Sequence, residues 1–148
     1  MNMKAYKHKV QYYETDQMKI VHHSNYIRWF EEARIDYMDQ IGISYPAMEK
    51  EGILIPVLSV EAKYLRMLRF GDVAEIVLGI KEYNGIKLVI EYQVMNEKTG
   101  MIHCKGETAH CFLTEQGKPV SLKKNYPEYH KKFVQMAEDN MQSQTENE

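Results

Sequence analysis

Between Tyr26 and Ile41, apolar residues recur at Tyr26, Phe30, Ala33, Tyr37 and Ile41, flanked by Ile27, Trp29 and Met38. Spacing of three and four is the signature of an amphipathic helix, and so wide an apolar face predicts a helix wrapped by a sheet. Ser24 fits the N-cap position and Gly42 the residue just past the end. A short second helix is expected over 44–50, with Ser44 as its cap, Pro46 early in it and Gly52 closing it.

Elsewhere the period is two. Lys4 to Tyr13 puts Tyr6, His8, Val10 and Tyr12 on one face of a strand, with Ala5, Lys7, Lys9, Gln11 and Tyr13 on the other. Further strands are expected over 53–65, with Pro56 near the start, and over 72–83, 86–95 and 101–114. Asn84-Gly85 marks a tight hairpin between the middle two. Gly106 shares a face with Cys104, Thr108 and His110, which predicts a bulge or a close approach there. Gln116 to Pro119 reads as a turn and 127–138 as a terminal helix, while 139–148 is a polar tail expected to be disordered. Strand, long helix, then an antiparallel meander describe an α+β fold with one helix packed on one sheet, a single domain over 1–138.

The chain has 148 residues, enough to bury a core without disulfide staples. A net charge of −2 argues against nucleic acid as partner, because such surfaces are basic. No apolar run is long enough to span a membrane, and Met1 to Tyr6 lacks the apolar core of a signal peptide. Cys104 and Cys111, seven residues apart on one expected strand, would be separated by roughly 23 Å. That exceeds disulfide reach, so reduced thiols and a cytoplasmic location are expected.

Candidate chemistry gathers just before the long helix. One carboxylate, Asp16, and two imidazoles, His22 and His23, adjoin the unpaired N–H groups of a helix start. A base facing an anion site is the simplest equipment for acyl transfer. The competing reading makes Asp16 a turn residue bonded to nearby backbone and His23 a partly exposed neighbour of the helix start.

The stretch Tyr12 or Tyr13, Glu14-Thr15-Asp16, Val21, His23, Asn25-Tyr26 and Phe30-Glu31-Glu32-Ala33-Arg34 resembles the signature of the hotdog-fold acyl-CoA thioesterases, in the branch like 4-hydroxybenzoyl-CoA thioesterase and the tol-pal-associated enzymes. The resemblance implies a hotdog fold, an antiparallel sheet of five or six strands around one central helix. It also implies hydrolysis of acyl-CoA thioesters, with Asp16 as general base or nucleophile and the backbone around His23 as oxyanion hole. Lys19 stands where many relatives have glycine, so a differently shaped bend after Asp16 is expected.

Substrate-side candidates are Asn25, Tyr26 and Glu31, with Asn25 ordering the loop and Tyr26 weighed as core. Glu31 or Glu32 would carry the reaction if this chain followed a second branch with its carboxylate in the helix. Against that stands an ion-pair network of Arg28 and Arg34 with Glu31 or Glu32. Lys63, Arg66 and Arg69 are candidates for the phosphates of coenzyme A. Lys123, Lys124, Lys131 and Lys132 are weaker ones. His103, Cys104, His110 and Cys111 lack ligand spacing, so no metal is expected, and no cofactor beyond the coenzyme A of the substrate. An exposed sheet edge implies self-association, and the resemblance implies a homodimer or homotetramer with sites at subunit boundaries. Two rival functions are a non-hydrolytic binding module for acyl-CoA or acyl-carrier protein, and a hotdog dehydratase.

Overall fold

The computed structural model describes residues 3–146, with side chains described through Asn140. Two residues at each end, including the last two of the expected tail, lie outside the described residues. The five strands are β1 (Tyr6–Lys9), β2 (Val57–Tyr64), β3 (Val73–Tyr83), β4 (Lys87–Asn96) and β5 (Ile102–Cys111). They form one antiparallel sheet in the order β1-β3-β4-β5-β2. The four helices are α1 (Ser24–Gln40), α2 (Tyr45–Lys50), α3 (Leu122–Asn125) and α4 (Pro127–Glu146).

α1 has 17 residues and is thus about 25 Å long. Trp29, Phe30, Ala33, Tyr37 and Met38 are buried along it, as the stripe requires, whereas Ile27 is 40% exposed. The sheet floor beneath is formed by Ala74, Ile76 and Ile80 of β3, Ile90, Tyr92 and Val94 of β4, and Cys104 of β5. Phe30 stacks on Tyr92 with ring centroids 4.4 Å apart. At the helix end, the Gly42 N–H donates to the Asp39 carbonyl and the Ile43 N–H to the Met38 carbonyl. With Gly42 at φ +81°, this pair of bonds is a Schellman motif.

Several boundaries differ from expectation. β1 stops at Lys9 because the Val10 N–H turns to the Asp72 carbonyl and Tyr12–Glu14 coils into a 3-10 turn. The expected strand over 53–65 begins only at Val57, since Leu54 pairs in isolation with Leu113. The hairpin closes one residue later than the Asn-Gly signal implied. Asn84 donates its N–H to the Lys87 carbonyl, so Gly85 and Ile86 form the two-residue loop. Gly85 at φ +91° makes that loop the glycine-first type, and the Asn84 side chain caps it by accepting from the Ile86 and Lys87 N–H groups. α3 has no counterpart among the expected elements, and α4 runs past Glu138 to Glu146. α4 is anchored by Phe133, which packs against Tyr83 and Phe112, and by Asn140, whose amide donates to the Ile80 carbonyl. Among the described residues no helix is long and apolar enough to cross a membrane.

Gly106 is the close approach. A β-carbon there would lie 2.4 Å from Phe30 Cζ and 3.0 Å from the Glu61 carbonyl oxygen. Phe30 is wholly buried and has nowhere to retreat. Gly106→Ala is therefore expected to cost about 1–3 kcal/mol, read as a lowered denaturation midpoint at unchanged slope in chemical unfolding.

Candidate active site

The loop before α1 is a small hairpin. Thr15 pairs with Val21, the Asp16 N–H donates to the Ile20 carbonyl at 2.9 Å, and the Lys19 N–H returns to the Asp16 carbonyl at 2.9 Å. Asp16 Oδ1 accepts from the Met18 N–H at 2.8 Å, a local turn bond. Its Oδ2 makes no hydrogen bond among the described residues. Lys19 has φ +64°, the left-handed region that glycine occupies without strain. The side chain thus carries a cost of roughly 1–2 kcal/mol to keep that bend.

The helix start differs from the expected serine cap. Ser24 is already the first helical residue, and His23 precedes it with helical dihedrals and no capping side chain. The Ser24 hydroxyl pairs instead with His22 Nδ1 at 2.8 Å. The N–H groups of this turn are mostly taken: His22 by the Glu14 carbonyl, Ser24 by His22 Nδ1, Asn25 by the His22 carbonyl and Tyr26 by the His23 carbonyl. Among the described residues the His23 N–H has no partner. The His23 ring is exposed, stacked on His22 with centroids 4.2 Å apart, and no hydrogen bond joins it to Asp16. Tyr64 of β2 donates its hydroxyl to the His23 carbonyl at 3.3 Å, tying the sheet edge to this turn.

Behind the hairpin lies a polar group that sequence spacing did not single out. Glu14 is only 4% exposed. Its carboxylate accepts from His8 Nε2, from the Gln11 N–H and from Trp29 Nε1, each at 2.8 Å. Its carbonyl accepts from the His22 N–H and from the Asn25 side-chain amide, also at 2.8 Å. His8 Nδ1 lies 3.3 Å from Glu32 Oε2, which also accepts from the Tyr6 hydroxyl at 2.8 Å. Burial pushes the Glu14 carboxyl up, but the His8, Gln11 and Trp29 hydrogen bonds and the nearby His8 charge together hold it below its ordinary value of 4.5. In sequence, His8 lies on the strand expected over 4–13 and Glu14 just beyond its end, with no sign that their side chains meet. Only the turn at Tyr12–Glu14 folds them together.

Asn25 is buried and orders the loop through the Glu14 and His22 carbonyls. Tyr26 is core, 3% exposed, and burial pushes its hydroxyl up to about 12. Glu31 is exposed on the outer side of α1. The expected pairing of Arg28 and Arg34 with Glu31 or Glu32 is not formed. Arg34 turns inward and donates to the Tyr92 hydroxyl, which joins Thr108 and His110 in a buried chain. Glu32 turns to β1 instead. Lys63, Arg66 and Arg69 are all exposed, but Lys63 occupies the sheet face opposite Tyr64, its strand neighbour. A hollow of about 810 Å³ lies against that back face, lined by residues including Lys63, Gly79, Glu91, Lys105 and Asn140, and it contains neither Asp16 nor His23. Among the described residues no three His, Cys, Asp or Glu side chains are placed to hold a metal ion, and both cysteines are unpaired.

Because Glu14's folded pKa is depressed, its stabilisation is present above the unfolded value and lost as pH falls through the folded one. The stability gap between wild type and Glu14→Gln is thus expected to be full above pH 4.5 and to narrow below it, measured by urea unfolding at a series of pH values.

Comparison with known proteins identifies the family and the fold. Residues 10–138 match the family model of the thioesterase-like superfamily. A putative acyl-CoA thioesterase of Bacillus subtilis, YneP, is 37% identical over 123 residues, covering 82% of this chain and 88% of its own. A putative esterase of Aquifex aeolicus is 37% identical over 119 residues, 80% of this chain and 91% of its own. Among solved structures, a DHNA-CoA thioesterase from Staphylococcus aureus superposes with a TM-score of 0.89 at 30% identity, covering 95% of this chain and 94% of that one. The family-model match over residues 10–138 and this structural match show that the chain belongs to the thioesterase-like superfamily and has the hotdog fold.

Proposed function

We propose that the protein hydrolyses acyl-CoA thioesters to a free carboxylic acid and coenzyme A. Asp16 serves as general base or nucleophile, and the His23 N–H, at the positive end of α1, is the oxyanion donor. The observation that supports this reading best is the pair of unused polar groups, Asp16 Oδ2 on the hairpin and the His23 N–H at the start of α1, in a chain of the thioesterase-like superfamily. With Asp16 as base, it takes a proton from water, the resulting hydroxide adds to the thioester carbon, and the carbonyl oxygen gains negative charge beside the N–H. Collapse of that adduct breaks the C–S bond, and the departing thiolate takes up a proton. With Asp16 as nucleophile, the same collapse leaves an acyl-aspartyl anhydride that water then cleaves. Arg66 and Arg69 lie on the connection whose Leu68 carbonyl holds the Val21 N–H, within the same surface as the hairpin. They are the better placed candidates for coenzyme A phosphates, with Lys63 on the opposite sheet face.

The working unit is a homodimer, and a homotetramer is its natural extension. Among the described residues β2 is paired only on its β5 side, and Val57, Leu58, Val60 and Tyr64 along it are each at least 39% exposed. A second copy pairing along β2 covers that edge and arrives beside Tyr64, hence beside His23. The Asp16 turn bond to Met18 also fits a binding module that does no chemistry, which is why the decisive assay reads thiol release and not binding.

Asp16→Asn is expected to lower kcat by about 10²–10⁴-fold with the fold intact, followed by thiol release from short, long and aromatic acyl-CoA esters. Wild-type turnover in that variant would remove the central claim. Val60→Lys, which puts a charge on the open edge, is expected to shift the protein to monomer by light scattering and to lower thiol release in parallel. A fully active monomer would contradict the dimeric site.

A further inference from the structure

Hydrolysis in the manner proposed above needs two groups on different elements to keep one separation, and the exposed hairpin has little of its own to fix it. Gln17, Met18 and Lys19 are exposed, and Lys19 holds a strained bend. What binds the hairpin to the helix is Glu14, two residues before Asp16. Its carbonyl takes one bond from the loop's return limb, at His22, and one from the first turn of α1, at Asn25. Its carboxylate takes one bond from β1, at His8, and one from the second turn of α1, at Trp29. A buried carboxylate is costly unless every bond is supplied, so a residue that only filled space here would be apolar. Once fully bonded, such a group fixes geometry rather than adding bulk.

We infer that Glu14 is a positioning residue for thioester hydrolysis, holding the Asp16 hairpin against the N-terminal turns of α1, and that His8 is its brace. This rests on the assignment of Asp16 and the His23 N–H made above. His8 meets Glu14 through Nε2 and Glu32 through Nδ1, and Glu32 is also held by Tyr6. The brace therefore runs from β1 through Glu14 to α1. Its role is carried by the side-chain Nε2–H donor at position 8, which glutamine can supply from nearly the same point.

The test measures kcat and KM for thiol release, with melting temperature as control, in Glu14→Gln, His8→Ala, His8→Gln and Asp16→Asn. Gln at position 14 keeps the volume but sets an amide N–H₂ against at least one of the three donors. Glu14→Gln and His8→Ala are each expected to lower kcat about tenfold or more, with KM changed less than about twofold and melting above the assay temperature. His8→Gln is expected to recover kcat to within about threefold of wild type. Should Glu14→Gln fail to fold, the His8→Ala and His8→Gln pair decides alone. Unchanged kcat in folded Glu14→Gln or His8→Ala, a change confined to KM, or no recovery in His8→Gln overturns the inference. Full activity in Asp16→Asn overturns the underlying reaction instead, whereas an inactive Asp16→Asn beside fully active Glu14 and His8 variants overturns the positioning role alone.

Discussion

α1 can lie where it does only because β5 gives it room. The Phe30 ring occupies the space that a side chain at position 106 would fill and stacks on Tyr92 of the adjacent strand. That contact sets the height of the helix over the sheet near the crossing, and Trp29, Ala33 and Tyr37 then bury themselves against the same floor. The helix start, and with it the turn at His22 and His23, inherits its place from this packing. A site that depends on backbone donors needs such a support, since a donor works only if it is fixed before charge develops.

The second constraint is electrostatic. The interior beside α1 carries two separate polar systems with different logic. Around Glu14, charge is matched by donors from three elements, and the carboxyl stays below its ordinary range. Under the helix, the Arg34 guanidinium donates to the Tyr92 hydroxyl, and Thr108 links Tyr92 to His110. Burial, helped by the Arg34 charge, pushes the His110 ring down to about 4, although a contact with the Pro56 carbonyl works the other way. His110 is therefore neutral at physiological pH, and its ring is part of the buried core.

The edge strand links fold to assembly. β2 carries exposed apolar side chains at Val57, Leu58 and Val60, and among the described residues its outer backbone edge has no strand beside it. The same strand touches the His23 carbonyl through Tyr64. In the dimer proposed above, a partner strand along this edge would therefore lie near the candidate site.

Legible from the sequence were the features with a local physical signature. The three-four spacing over Tyr26–Ile41 gave α1, Gly42 its end and Gly106 the close approach, because each reflects a rule of backbone or side-chain geometry within a few residues. The ordered motif from Tyr12 to Arg34 carried the family. Not legible were the strand order, the inward turn of Arg34, the helix start without a serine cap, and above all the lock at Glu14. Its partners His8, Gln11, His22, Asn25 and Trp29 come from a strand, a turn, a hairpin and a helix. Periodicity records which face a residue takes along its own element. Which donors meet across elements is decided only when the chain packs, because burying a carboxylate is tolerable only where the surrounding fold can satisfy it.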